Sequence, residues 1–271
     1  MDFEQVFGTN KPVVGMVHLQ PLPGSPRSDS DLDAVLERAR ADARALDTGG
    51  VDGVIVENFG DAPFYPDAVP AHTVAAMTRA TDAVRRAVGV PVGVNVLRND
   101  AEAALSVAAA ADAAFVRVNV HTGARLTDQG VLEGQAHETL RLRERLGADV
   151  DVFADLAVKH STPLTGADDD VGTLAETVKR GLADAVVVSG TETGAPVDAG
   201  RLETVLDERA AAGLATPVLV GSGVGPESVE DLLVDADGVV VGTALKAGGE
   251  TTAPVDSQRV TDLVAAADRV R

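Results

Sequence analysis

Cysteine and tryptophan are absent from the 271 residues, tyrosine occurs once, and lysine occurs at only four positions: Lys11, Lys159, Lys179 and Lys246. Without cysteine there are no disulfides, thiolate metal sites or cysteine nucleophile, a pattern that fits the cytoplasm. No run approaches the roughly 18 uninterrupted apolar residues of a membrane-spanning helix. The opening stretch Met1–Lys11 is acidic and lacks the basic segment and apolar core of a secretory signal. Basic residues number 23 against 42 acidic ones, for a net charge of −19. No basic face offers phosphate neutralisation, so nucleic-acid binding is not expected. The carboxylates are dispersed, Asp outnumbers Glu 28 to 14, and 19 Arg stand against four Lys. Concentrated salt favours such a surface because it screens self-repulsion, and a halophilic source is expected.

What is present in quantity is a repeated unit. Short β-branched runs occupy Val13–Val17, Gly53–Val56, Pro91–Val96, Ala114–Val118, Val150–Ala154, Ala185–Val188, Pro217–Val220 and Gly238–Val241. Each is too short for a helix and suits a buried strand. An amphipathic helical stretch follows each one, the last about Ser257–Val270. Eight such units in 271 residues match a single (β/α)8 barrel over residues 1–271, since that fold needs about 250. The barrel places function in advance, at the C-terminal ends of the strands and in the loops that follow.

Alternate residues of a strand share a face. His18 therefore falls at the top of the first strand, Glu57 of the second, Asn95 of the third, Arg117 and Asn119 of the fourth, and Asp155 of the fifth. Lys159, His160 and, if the chain stays extended, His121 join the same rim. Asp31 or Ser30 is placed to cap the helix that begins near Leu32. The loop 59–70, with Phe64 and Tyr65, reads as a lid or a dimer contact, and a homo-oligomer is expected.

The seventh unit ends in Gly221-Ser222-Gly223-Val224-Gly225, with Pro226 at the start of the next helix. Glycines let backbone N–H groups approach an anion, and a helix N-terminus adds positive potential. Gly242-Thr243 repeats the device after the eighth strand. Strands 7 and 8 are where many barrels hold phosphate, so Gly221, Ser222, Gly223, Gly242 and Thr243 are the expected phosphate contacts. Small residues also permit tight turns, the competing reason for their presence.

Glu57, Asp155, Lys159 and His160 are the candidate catalytic groups. Lys159 suits anion binding, acid catalysis or a Schiff base if burial lowers its pKa. His18, Asn95, Arg117, Asn119 and Thr191 are the expected substrate-binding side chains. His18, Glu57 and Asp155 are also candidate ligands for a divalent metal, though no His-x-x-x-His or Glu-x-x-His spacing sharpens that reading. No nicotinamide or flavin site is expected, because Gly221-x-Gly223-x-Gly225 lacks the dinucleotide order and comes seventh rather than first. Gly-x-Ser-x-Gly is absent, so no serine-hydrolase triad is expected.

Several stretches together resemble the BtpA family, also called BtpA/SgcQ. They run from Gly15-Met16-Val17-His18-Leu19-Gln20-Pro21-Leu22-Pro23-Gly24-Ser25-Pro26 through Glu57-Asn58-Phe59-Gly60-Asp61-Ala62-Pro63-Phe64 to Arg117-Val118-Asn119-Val120-His121-Thr122-Gly123. Thr127-Asp128-Gln129-Gly130, Ala154-Asp155-Leu156-Ala157-Val158-Lys159-His160, Ser189-Gly190, Thr193-Gly194 and Gly221-Ser222-Gly223-Val224 complete the set. The resemblance implies a (β/α)8 fold. The family takes its name from a role in photosystem I accumulation in cyanobacteria, where the protein is membrane-associated. Its relatives among sugar-operon proteins suggest small phosphorylated metabolites.

Three readings follow. The leading one is an enzyme on a phosphorylated sugar or nucleotide-like metabolite, an isomerase, lyase or glycosidic cleaver, with a Schiff-base lyase as the sharpest case. The second is a non-enzymatic assembly or stability factor. The third is a metal-dependent hydrolase.

Overall fold

β-Branched residues suit a pleated strand, and each of the eight valine-rich runs is extended where the sequence places it. The computed structural model describes residues 1–29, 31–156, 161–164, 173–190 and 199–271. Eight parallel strands close a barrel: β1 Val13–His18, β2 Gly53–Glu57, β3 Val92–Asn95, β4 Phe115–Val118, β5 Asp151–Asp155, β6 Ala185–Val188, β7 Val218–Val220 and β8 Gly238–Val241. Each strand pairs with the next, and β8 returns to β1. The helices between them are α1 Leu32–Thr48, α2 Ala71–Arg85, α3 Ala101–Ala111, α4 Ala136–Leu146, α5 Thr173–Lys179, α6 Ala199–Ala211 and α7 Val229–Asp235, with α8 Ser257–Ala267 last. This is the expected (β/α)8 TIM barrel.

Alternation divides the core in two. Outward valines such as Val17, Val54, Val94 and Val186 join the apolar faces of the helices. Inward residues Val14, Met16, Ile55, Phe115, Phe153 and Leu219 fill the cylinder. A short N-terminal helix, Phe3–Phe7, that the sequence patterning did not reveal adds Phe3 and Phe7 to this inner cluster. Asp2 caps it, its carboxylate accepting from the Glu4 amide at 3.0 Å. Phe115 and Phe153 stack at 4.5 Å between centroids, and Phe7 meets Phe115 edge-on at 5.6 Å. Phe7 also lies against Gly53, the first residue of β2, where a Cβ would stand 2.8 Å from its ring. The plug therefore closes the N-terminal end of the barrel and leaves the opposite end for polar groups.

Two features depart from the repeat. After β4 the chain forms a hairpin, Ala124–Thr127 with Gly130–Glu133, and Ser161–Pro163 pairs antiparallel with its first strand. This small sheet pairs with no strand of the barrel. The helix after β7 begins at Val229, not directly after Pro226. The Gly225 amide donates to Ser228 Oγ at 3.1 Å, so a turn precedes the helix. At α1, Asp31 supplies the cap by accepting from the Ala34 amide at 2.9 Å. Ser30 lies outside the described residues.

Candidate functional site

The strand ends opposite the phenylalanine plug surround a cavity of about 840 Å³. Its walls include His18 from β1, Glu57 from β2, Arg117 from β4 and Asp155 from β5, with Asn119 just beyond β4. The loops after β7 and β8 add Gly221, Ser222, Gly223, Gly242 and Thr243. Alternation along valine-rich strands carries these polar groups to one mouth, because the opposite parity is taken up by the helix-facing valines.

A buried ion pair forms the floor. Arg117 donates through Nε to Asp155 Oδ1 at 2.8 Å and through Nη2 to Oδ2 at 3.0 Å. Asn119 Nδ2 adds a third bond to Asp155 Oδ2 at 3.0 Å. Burial works against the Arg117 charge, but the Asp155 carboxylate outweighs it and holds the guanidinium above its ordinary pKa. Asn95 lies beneath, outside the lining, and donates to the Arg117 carbonyl at 2.8 Å and to Asn119 Oδ1 at 3.2 Å. Its position makes it a support for Arg117 and Asn119.

A second pair stands beside the first. His18 Nε2 is 3.7 Å from Glu57 Oε1. His18 Nδ1 donates to the Thr251 carbonyl at 3.2 Å, and the ring stacks on Phe59 at 4.7 Å between centroids. With Nδ1 donating to a carbonyl, Nε2 is the ring nitrogen nearer Glu57. Thus Phe59, from the aromatic loop, fixes the imidazole, while Phe64 lines the cavity and Tyr65 is exposed.

The glycine loops pack closely against this chemistry. A Cβ on Gly221 would stand 2.9 Å from Ser189 Oγ, and one on Gly242 would stand 3.1 Å from His18 Cε1. Gly223 has φ +64°, a left-handed conformation that favours glycine. Thr243–Leu245 forms a single 3₁₀ turn at the mouth.

Lys159, His160 and Thr191 lie outside the described residues. His121 leaves the rim: it is buried, and Nε2 donates to the Gly181 carbonyl at 2.8 Å. Among the described residues, no three His, Asp or Glu side chains group as a metal site; Asp155 is directed to Arg117 and Asn119 instead of completing a set with His18 and Glu57.

Three charged residues escaped the sequence reading, among them Arg27, which lines the cavity from the loop after β1. Arg98 lines the cavity from the loop after β3. Lys246, fully buried behind β1, donates to the Met16 carbonyl at 2.9 Å and lies 3.8 Å from Asp42. Pairing of β8 with β1 ends at Gly15 and Val241, so the ammonium takes over beside β1 where the neighbouring strand departs. Burial lowers the Lys246 pKa to about 8, against the opposing pull of Asp42.

Fold and mouth together define a TIM barrel whose C-terminal end gathers buried carboxylates, arginines and small-residue loops. Residues 9–269 match the BtpA family model, and the chain belongs to the BtpA family. It is 47% identical over 266 residues to the photosystem I biogenesis protein BtpA of Synechocystis sp., covering 98% of this chain and 91% of that protein. It is 46% identical to an uncharacterized protein of Thermococcus kodakarensis, over 100% of this chain and 98% of the relative. Phosphoribosyl anthranilate isomerase from Thermus thermophilus shares the fold, with TM-score 0.55 and 15% identity over 96% of this chain and 100% of the isomerase. Among the described residues, no helix is long and apolar enough to cross a membrane.

Proposed function

We propose that the protein is an enzyme acting on a small phosphorylated sugar or nucleotide-like metabolite, by isomerisation, carbon–carbon lysis or glycosidic cleavage. The observation that supports this reading is the meeting of two small-residue loops with the Arg117–Asp155 and His18–Glu57 pairs around one cavity of about 840 Å³. A barrel interior built only for stability is filled by Val, Ile and Leu. In this reading Gly221, Ser222, Gly223, Gly242 and Thr243 hold the phosphate. Glu57 and His18 move a proton, and Asp155 is the second carboxylate at the reacting carbon. Arg117 and Asn119 bind substrate oxygens, supported from below by Asn95. Lys159, His160 and Thr191 follow β5 and β6 in sequence and complete the proposed set.

A screen of sugars and their phosphates by thermal shift in concentrated KCl tests the reading. Only phosphorylated members should raise the melting temperature, and a ligand at 100 times its Kd should add about 2.7 kcal/mol. Equal shifts from the unphosphorylated sugars contradict the proposal. Borohydride trapping with a substrate found this way decides the Schiff-base case at Lys159.

The identity to the photosystem I biogenesis protein favours a second reading, an assembly factor that performs no chemistry. Complementation separates the two. Glu57→Gln should abolish the function of an enzyme and leave that of an assembly factor intact.

A further inference from the structure

Arg98 has no task in the scheme above. It lines the same cavity as Glu57, Arg117 and Asp155, and only 8% of it is exposed. It stands on the loop after β3. On a ring of eight strands β3 and β7 are four steps apart, so Arg98 and the Gly221–Gly225 loop face each other across the mouth.

The backbone that carries Arg98 is clamped. Its amide donates to the Tyr65 carbonyl at 3.0 Å, and the Leu97 amide donates to Asn58 Oδ1 at 2.7 Å. Asn58 Nδ2 in turn donates to Asp61 Oδ2 at 3.2 Å, and Asp61 Oδ1 accepts from the Leu22 amide at 2.8 Å. Loops after β1 and β2 therefore hold the base of the side chain.

Around the guanidinium, burial disfavours the charge, while Asp128 at the hairpin tip, Asp155 and Glu57 favour it. A guanidinium offers five N–H donors in a planar fork that matches carboxylate or phosphate oxygens.

We propose that Arg98 is a second anion-binding position, and that the substrate carries two anionic ends. Phosphate sits on the loops after β7 and β8, and a carboxylate or second phosphate sits at Arg98. This rests on the mouth being a site for phosphorylated metabolites.

Calorimetric titration tests it with three probes: ribose 5-phosphate, 5-phosphoribonate and ribulose 1,5-bisphosphate. At least one two-ended probe should bind the unaltered protein about tenfold or more tighter than ribose 5-phosphate, and the one that gains identifies the second group. Arg98→Gln should erase that advantage and leave ribose 5-phosphate affinity unchanged. Arg98→Lys, which keeps the charge and loses the fork, should retain only part of it and serves if the glutamine variant fails to fold. Equal affinity for all three probes, or an advantage that survives both substitutions, overturns the second position while leaving the phosphate reading standing. Failure of every probe to bind overturns both.

Discussion

Arg117 and Asp155 form a bidentate ion pair at the mouth. The pair is buried on both sides, with side-chain exposures of 6% and 1%. Removing one member of such a pair leaves an uncompensated charge and costs about 3–5 kcal/mol. Asp155→Ala should therefore lower unfolding free energy by that amount in denaturant titrations. A loss below about 1 kcal/mol would mean that the guanidinium finds water or another partner.

Lys246 adds a pH signature. Its pKa is about 8 in the folded chain against 10.5 for the ordinary group, so between those values the unfolded chain binds more protons. Stability relative to Lys246→Met should then rise with pH from about 8 to about 10.5, by up to about 3 kcal/mol. Unfolding titrations of both proteins across that interval check it, and a flat difference contradicts it. Asp151 behaves as the acidic counterpart: burial, reinforced by Asp184, raises its pKa to about 6. The folded state then binds the extra proton, so the favourable contribution exists below about 4 and is lost as pH climbs through 6. Asp151→Asn should raise the melting temperature at pH 7 and have little effect at pH 4.

At this scale the sequence was readable where strand parity applies. His18, Glu57, Arg117 and Asp155 each close an inward-facing column of a strand, so counting by two finds them. Arg98 and Lys246 sit past the strand ends, where Asn58 Oδ1 and the Tyr65 and Met16 carbonyls accept the hydrogen bonds that set their direction. No local periodicity encodes those bonds.

Among the elements, the N-terminal helix is the clearest division between stability and function. Phe3 and Phe7 seal one end of the cylinder against Phe115 and Phe153. Phe7→Ala should cost about 3–5 kcal/mol of stability, yet leave ligand affinity at the far mouth unchanged. A matching fall in affinity would show that the two ends are coupled. The helix is only five residues long, too short for an amphipathic period to register. The hairpin after β4 escaped for another reason. Leu126 and Val131 oppose each other across it and are 48% and 50% exposed, while Leu132 is buried against Val120, too little apolar patterning to mark a strand pair. Its turn, with Gly130 at φ +103°, is written in Thr127-Asp128-Gln129-Gly130.

For the molecule as a whole, two properties set its behaviour: a closed ring of strands and a net charge of −19. Self-repulsion among dispersed carboxylates falls as salt shortens the Debye length from about 10 Å at 0.1 M to about 3 Å at 1 M. The melting temperature should therefore climb as KCl is raised through that range. A flat or falling curve would remove the halophilic reading. The ring was legible because each unit repeats the same buried-strand signal, so an error in one would not hide the other seven. Closure also explains why residues from distant parts of the chain, Glu57 and Gly242 among them, share one cavity. The most direct test of the whole account is a crystal structure grown with millimolar inorganic phosphate. The anion should lie between the Gly221–Gly225 and Gly242–Ala244 loops, within reach of their main-chain amides. Phosphate seated elsewhere on the molecule, with that cradle holding only solvent, would contradict it.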